Sequence, residues 1–284
     1  MKVLVTGGNG QLGSELKDCL AFSKHQVVFA DRQMLDLADP VSMSTFFSDN
    51  VFDVVINCGA YTAVDKAESD ELAANNINAV APGLIAKFCK ISGAKLIHIS
   101  TDFVFDGYAS VPYKETDETL PLSVYGKSKL EGEKHVLQFD SDAVIIRTGW
   151  LYSSYGHNFL KTILRLCSER GQLSVVFDQI GTPTYAADLA LVIKNIMESG
   201  EWIPGVYHYS NEGVASWYDF AFAINRIAGL HCKILPIETY QYPTPAKRPS
   251  YSVLNKAKIK SQFGIYIPNW QESAELCIRK IKYV

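Results

Sequence analysis

The sequence predicts an α/β fold: a doubly wound parallel sheet with a smaller C-terminal α/β substrate-binding portion. Three observations carry this prediction. Short, nearly uninterrupted apolar segments recur through the first 150 residues, helical stretches separate them, and glycines at 7, 10 and 13 fall where the first strand turns into the first helix.

In chain order, residues 2–6 (KVLVT), 26–30 (QVVFA), 53–57 (DVVIN), 95–100 (KLIHIS) and 143–147 (AVIIR) read as strands buried on both faces. Helical patterns lie near 11–22, 65–90 and 124–138, so the alternation builds right-handed βαβ crossovers. After Trp150 the pattern turns irregular. Helices near 157–170, 186–199 and 216–228 mix with short strands and a Pro-rich loop at 242–249 (YPTPAKRP). The chain therefore divides into a dinucleotide-binding part, 1–150, and a substrate-binding part, 151–284. No linker separates them, so the second is expected to interleave with the first rather than fold alone.

The chain has 284 residues, enough for one large domain or two modest ones. A net charge of −3 argues against nucleic acid or an anionic membrane as the main partner. No apolar run approaches the ~18 residues that cross a bilayer. Met1-Lys2 leads directly into a strand with no leader pattern. The six cysteines form no C-x-x-C, which fits buried free thiols in a reducing cytoplasm.

The turn V-T-G-G-N-G-Q-L-G places Gly7, Gly10 and Gly13, with Gln11 and Leu12, against a pyrophosphate. The glycines permit the tight turn and close approach, and the helix start offers unpaired N–H groups. This is a Rossmann-type signature. An acidic residue about 20 positions on should hold the adenosine ribose. Asp31 stands there and favours NADH, while Arg32 beside it favours the 2′-phosphate of NADPH; both cofactors stay open. Asp36 and Leu37 reach toward the adenine, and Ala60, Tyr61 and Thr62 follow the third strand at the crevice.

At the other end, Ser100-Thr101-Asp102 closes the fourth strand, and Tyr125 and Lys129 lie one turn apart on a helix. An ammonium beside a phenol is expected to lower its pKa from about 10 and ready it for proton transfer. Thr101, Tyr125 and Lys129 then form a ketone-reducing set. A nicotinamide gives hydride, Tyr125 the proton, and Thr101 polarises the carbonyl, while Lys129 holds the nicotinamide ribose.

With T-G-x-x-G-x-x-G, S-T-D and Y-x-x-x-K in this order, the chain resembles the extended short-chain dehydrogenase/reductase family and, within it, the dTDP-4-dehydrorhamnose reductases. AYTAVDKAE (60–68), STDFVF (100–105), VYGKSKLEGE (124–133), RTGW (147–150), DQIGTPT (178–184) and YPTPAKRP carry the resemblance across nearly the whole chain. It implies reduction of the C4 ketone of a dTDP-linked 4-keto-6-deoxy sugar. Cofactor contacts are implied for Gly10–Leu12, Asp31, Asp36, Leu37, 60–62, Tyr125 and Lys129. Substrate contacts are implied for Thr101, Asp102 and Trp150, with Trp150 walling the 6-deoxy carbon and Lys247 or Arg248 meeting the phosphates. Some members bind magnesium between subunits through glutamates. Glu15 matches one such position, but Ala187 stands near another and no third ligand is evident. No protein-bound metal is expected, and a homodimer, if formed, is not metal-linked.

Two other readings compete. One is a noncatalytic nucleotide-binding subunit like the regulatory beta subunit of methionine adenosyltransferase; the intact Thr101, Tyr125 and Lys129 favour an enzyme. The other keeps the chemistry and changes the nucleotide-linked 4-keto sugar or the C4 configuration of the product.

Overall fold

Lys2–Thr6 forms β1 and passes through the glycine turn into α1 (Gln11–Leu20). β2 (Gln26–Ala30), α2 (Pro40–Asp49), β3 (Val54–Asn57), α3 (Val64–Ala67), α4 (Glu71–Asn75) and α5 (Ala81–Ser92) follow. β4 (Lys95–Thr101), α6 (Val124–Phe139) and β5 (Val144–Thr148) come next. Beyond them lie β6 (Leu151–Tyr152), α7 (Phe159–Glu169), β7 (Gln172–Val176), β8 (Ile180–Gly181), β9 (Thr184–Tyr185) and α8 (Ala186–Glu198). β10 (Gly205–His208), β11 (Ala215–Ser216), α9 (Trp217–Ile227), β12 (Lys233–Ile237), α10 (Ala257–Phe263) and α11 (Trp270–Lys282) complete the order among the described residues. This computed structural model describes residues 1–282.

The main sheet has six parallel strands in the order β10-β5-β4-β3-β1-β2. Both faces are covered, as the apolar strands require. Val3 and Val5 point to one side, where Leu12 and Leu16 of α1 pack with Leu189 and Ile193 of α8. Leu4 points to the other, against Met43, Ile85 and Val136 from α2, α5 and α6. The sixth strand, β10, comes from beyond residue 150 and lies on β5, with Gly205 opposite Val144. A further apolar cluster, including Leu160, Phe220, Ile224 and Cys277, joins α7, α9 and α11.

The single helix expected over 65–90 is instead three helices with a π turn at Asn76–Val80 between α4 and α5. A buried asparagine explains the turn. Asn78 accepts from the Tyr61 N–H at 2.8 Å and donates to the Tyr61 carbonyl at 3.0 Å and to Ser128 Oγ at 3.1 Å. Its side chain thus acts as a strand partner for the segment after β3, and widening the helix brings it there. Pro82 then starts α5, where a missing N–H is tolerated. The π turn also lets α6 come close: a Cβ on Gly132 would lie 2.0 Å from the Asn78 carbonyl oxygen.

Candidate active site

The chain runs from β1 to β2 on one side and returns to β3 on the other, so the sheet has its switch point between β1 and β3. A ligand crevice is expected at the carboxyl ends there. A cleft of about 680 Å³ opens at this place. Gly7, Gly10, Gln11, Leu12 and Gly13 line one end; Thr101, Asp102, Tyr125, Lys129 and Trp150 line the other, with Arg248 at its wall.

The glycine turn is a cradle with no room for side chains. Gly7 has φ +65°, and a Cβ there would meet Gly59 Cα at 2.9 Å. A Cβ on Gly13 would lie 2.4 Å from the Gly7 carbonyl oxygen. α1 begins at Gln11 with no side-chain cap on its first N–H groups. Bare backbone and uncapped N–H groups at a cleft fit the pyrophosphate of a dinucleotide. Ala60 and Thr62 also line this cleft.

Several expected cofactor residues stand outside the cleft wall. Asp31 accepts from the N–H groups of Gln33 and Met34, both at 3.0 Å, and from Asn9 Nδ2 at 3.1 Å. Arg32 is exposed and reaches only Asp36, at 3.4 Å. The Leu37 side chain packs on Gly59. Tyr61 is turned away, its hydroxyl donating to Asp70 at 3.2 Å.

At the chemical end, Thr101 ends β4 and caps the short 3₁₀ turn 102–104 by accepting from the Phe103 N–H at 3.2 Å. Its hydroxyl donates to Asp102 Oδ1 at 3.1 Å and hydrogen-bonds the Tyr125 phenol. Ser123 caps α6, accepting from the Gly126 N–H at 3.1 Å, and fixes the turn that carries Tyr125. The Tyr125 ring meets Phe103 edge to face at 5.6 Å.

One electrostatic expectation is corrected. Lys129 does not lower the Tyr125 pKa. Its ammonium donates to the Ile99 carbonyl at 2.6 Å, and burial pushes the phenol up to about 12, with the Asp102 charge adding and the Thr101 bond opposing. Burial also pushes Lys129 down to about 8, against the charge of Glu133. A phenol held this high keeps its proton and is an acid, as carbonyl reduction needs.

Asp102 is 2% exposed, with Oδ2 lacking a hydrogen-bond partner, and its carboxyl packs on Gly149, where a Cβ would lie 2.5 Å away. Burial pushes it up to about 6, against hydrogen bonds from Ser252 and Thr101. Because this value exceeds the 3.8 of the free group, the folded state holds the proton more tightly, and stability falls as pH rises from about 4 to about 6. Asp102→Asn should therefore stabilise the fold at about pH 8, by up to about 3 kcal/mol, with a higher Tm, and lose that advantage at about pH 4. Equal differences at both pH values in thermal melts would refute it.

Trp150 is the one non-glycine residue at positive φ, +51°, among the described residues. Its indole stacks on Trp217 at 3.5 Å and 3° and fills the space over Gly181, where a Cβ would lie 2.6 Å from the ring. Strain of this kind marks positions that the surroundings impose. Trp217 and Phe159, 4.7 Å apart, extend the aromatic wall. The sequence reading missed both, and also the segment 156–158, whose Asn158 donates to Gln11 Oε1 at 2.9 Å and lines the cleft. Arg248 is bound by Asp65 through Nη1 at 3.0 Å and Nη2 at 2.8 Å. Lys247 points away to Tyr108, Nζ to hydroxyl 2.9 Å. Glu15 is buried and satisfied by Ser153 at 2.6 Å and Lys280 at 2.9 Å.

Residues 1–283 match the family of the RmlD substrate binding domain. The dTDP-4-dehydrorhamnose reductase of Burkholderia thailandensis is 42% identical, with 99% of each chain covered. The crystal structure of a dTDP-4-dehydrorhamnose reductase from Clostridium acetobutylicum is similar at a TM-score of 0.96 and 42% identity, covering 99% of this chain and 100% of that one. The enzyme of that name from Bacillus anthracis, solved in complex with NADP, gives 0.95 at 36% identity, covering 98% and 99%.

Proposed function

We infer that this chain, which belongs to the RmlD substrate binding domain family, is an NAD(P)H-dependent reductase that converts dTDP-4-dehydrorhamnose to dTDP-L-rhamnose at C4. The observation that carries the reading is the convergence of Thr101, Tyr125 and Lys129 in the cleft whose other end is the glycine cradle.

A bound reduced nicotinamide supplies the hydride that reaches C4. Tyr125 gives its phenolic proton to the C4 oxygen as the alkoxide develops and recovers one from water. Thr101 donates to the same oxygen and polarises the ketone. Lys129 holds the nicotinamide ribose. Asp102 accepts from a neighbouring sugar hydroxyl, which gives its unpartnered Oδ2 a donor. Trp150 and Trp217 wall the 6-deoxy carbon, and Arg248, aimed by Asp65, meets the nucleotide phosphates. The portion after residue 150 contributes Trp217 and Arg248 to the sugar-nucleotide end. All six cysteines are free, in keeping with a reducing compartment.

The test is to incubate the protein with dTDP-4-dehydro-L-rhamnose and either reduced cofactor, following nicotinamide absorbance and the configuration of the product at C4. No oxidation of NADPH or NADH, or a product of the other configuration, overturns the assignment.

Asp31 is engaged in its own turn, whereas Arg32 is exposed and can exchange its long contact with Asp36 for a 2′-phosphate. Both cofactors are therefore used. Arg32→Ala should raise KM for NADPH by about tenfold and leave KM for NADH nearly unchanged. Equal changes for both cofactors would show that Arg32 does not read the 2′ position.

A further inference from the structure

Tyr125, Lys129 and Glu133 are spaced four residues apart on α6, so all three share the face toward β4 and β5. Tyr125 meets the substrate end of the cleft, and Lys129 and Glu133, each 2% exposed, are buried. The Glu133 carboxylate is fixed from three sides. Arg147 forks onto it, Nε to Oε1 at 2.9 Å and Nη2 to Oε2 at 2.7 Å, and Ser100 Oγ donates to Oε1. Ser100 directly precedes Thr101, and Arg147 lies three residues before Trp150. One carboxylate thus ties α6 to the ends of both strands that present the site.

The groups facing Lys129 come from three elements: Cys58 after β3, His98 and the Ile99 carbonyl on β4, and Glu133 on α6. Burial holds Cys58 up near 12 and His98 well below its ordinary value, so both are neutral. Glu133 is the carboxylate that offsets the ammonium. We propose that Glu133 is a positioning residue for the reduction: clamped by Arg147 and Ser100, it is the fixed counter-charge that keeps Lys129 an ammonium, seated behind Tyr125. This rests on Tyr125 and Lys129 being the reducing machinery.

The sign is definite. Lys129 works as a cation, so activity falls as pH rises through its titration near 8, well before the phenol titrates near 12. Loss of a nearby opposite charge lowers the ammonium's pKa. Glu133→Gln should move the alkaline limb of kcat/KM down by about one pH unit, and NADPH affinity should weaken along the same limb. Because this change leaves the Arg147 guanidinium buried without its carboxylate, the double variant E133Q/R147Q is measured beside it, and Glu133→Asp serves as the conservative rescue. Both variants lacking the Glu133 carboxylate are expected to show the shifted limb, and Glu133→Asp to restore it. A folded variant lacking that carboxylate but keeping the wild-type limb, or failure of all three to fold, overturns the proposal. Lys129→Met and Tyr125→Phe separate the two levels. Turnover retained in those variants sinks the reading of the site itself, whereas turnover lost there with an unmoved limb in Glu133→Gln sinks only the role of Glu133.

Discussion

Replacing Tyr125 by phenylalanine lowers kcat by at least ~10²-fold while NADPH still binds with nearly wild-type affinity. The ring itself is kept. Its edge-to-face contact with Phe103 and its place after the Ser123 cap involve no hydroxyl, so the fold around it is undisturbed. What goes is the oxygen that hydrogen-bonds Thr101 and faces the cleft. The neighbouring groups are poor substitutes. The Thr101 hydroxyl is too weak an acid to give up the proton itself, and the Lys129 ammonium donates to the Ile99 carbonyl. Since burial holds the phenol near 12, the wild-type acid stays protonated through neutral pH, and the defect should be of similar size from about pH 6 to about pH 8. Single-turnover kinetics at saturating cofactor provide the measurement. Turnover within about threefold of wild type would assign the proton to another donor.

The sheet was legible because β1, β3, β4 and β5 are buried on both faces and read as nearly continuous apolar runs. β10 was not, since GVYH is short and its place beside β5 is set by tertiary pairing, with Tyr207 opposite Ile146. The glycine cradle and the Tyr125–Lys129 pair were also legible, because each depends on local spacing that backbone geometry fixes. Trp217 and Asn158 enter the cleft from segments 67 and 147 residues beyond the Trp150 and Gln11 they meet, and no local pattern marks such convergence. The tuning of Tyr125 was misread for a related reason. Spacing places Lys129 one turn away but cannot show that its ammonium is taken up by the Ile99 carbonyl. The three-part clamp on Glu133 depends likewise on β4 and β5 lying side by side, with Ser100 opposite Arg147.

Gly13→Ala should lose both cofactor affinity and stability, and Gly10→Ala cofactor affinity alone. The two positions look equivalent in the triplet, yet their surroundings differ. A methyl on Gly13 would lie 2.4 Å from the Gly7 carbonyl oxygen and 2.8 Å from Gly8 Cα, all backbone atoms of the turn, so α1 must back away from β1. Overpacking of this sort costs about 1–3 kcal/mol and displaces the uncapped N–H groups proposed to receive phosphate. A methyl on Gly10 would meet only the Gly7 oxygen, at 3.1 Å, and would stand at the cleft wall where the pyrophosphate approaches. The expected outcome is a rise of at least ~10-fold in NADPH Kd for both variants. Tm falls clearly for Gly13→Ala and stays within a degree or so for Gly10→Ala. Fluorescence titration and thermal melts read the two quantities separately. Unchanged NADPH affinity in Gly10→Ala would move the pyrophosphate away from this turn and leave the glycines as packing residues between α1 and the sheet.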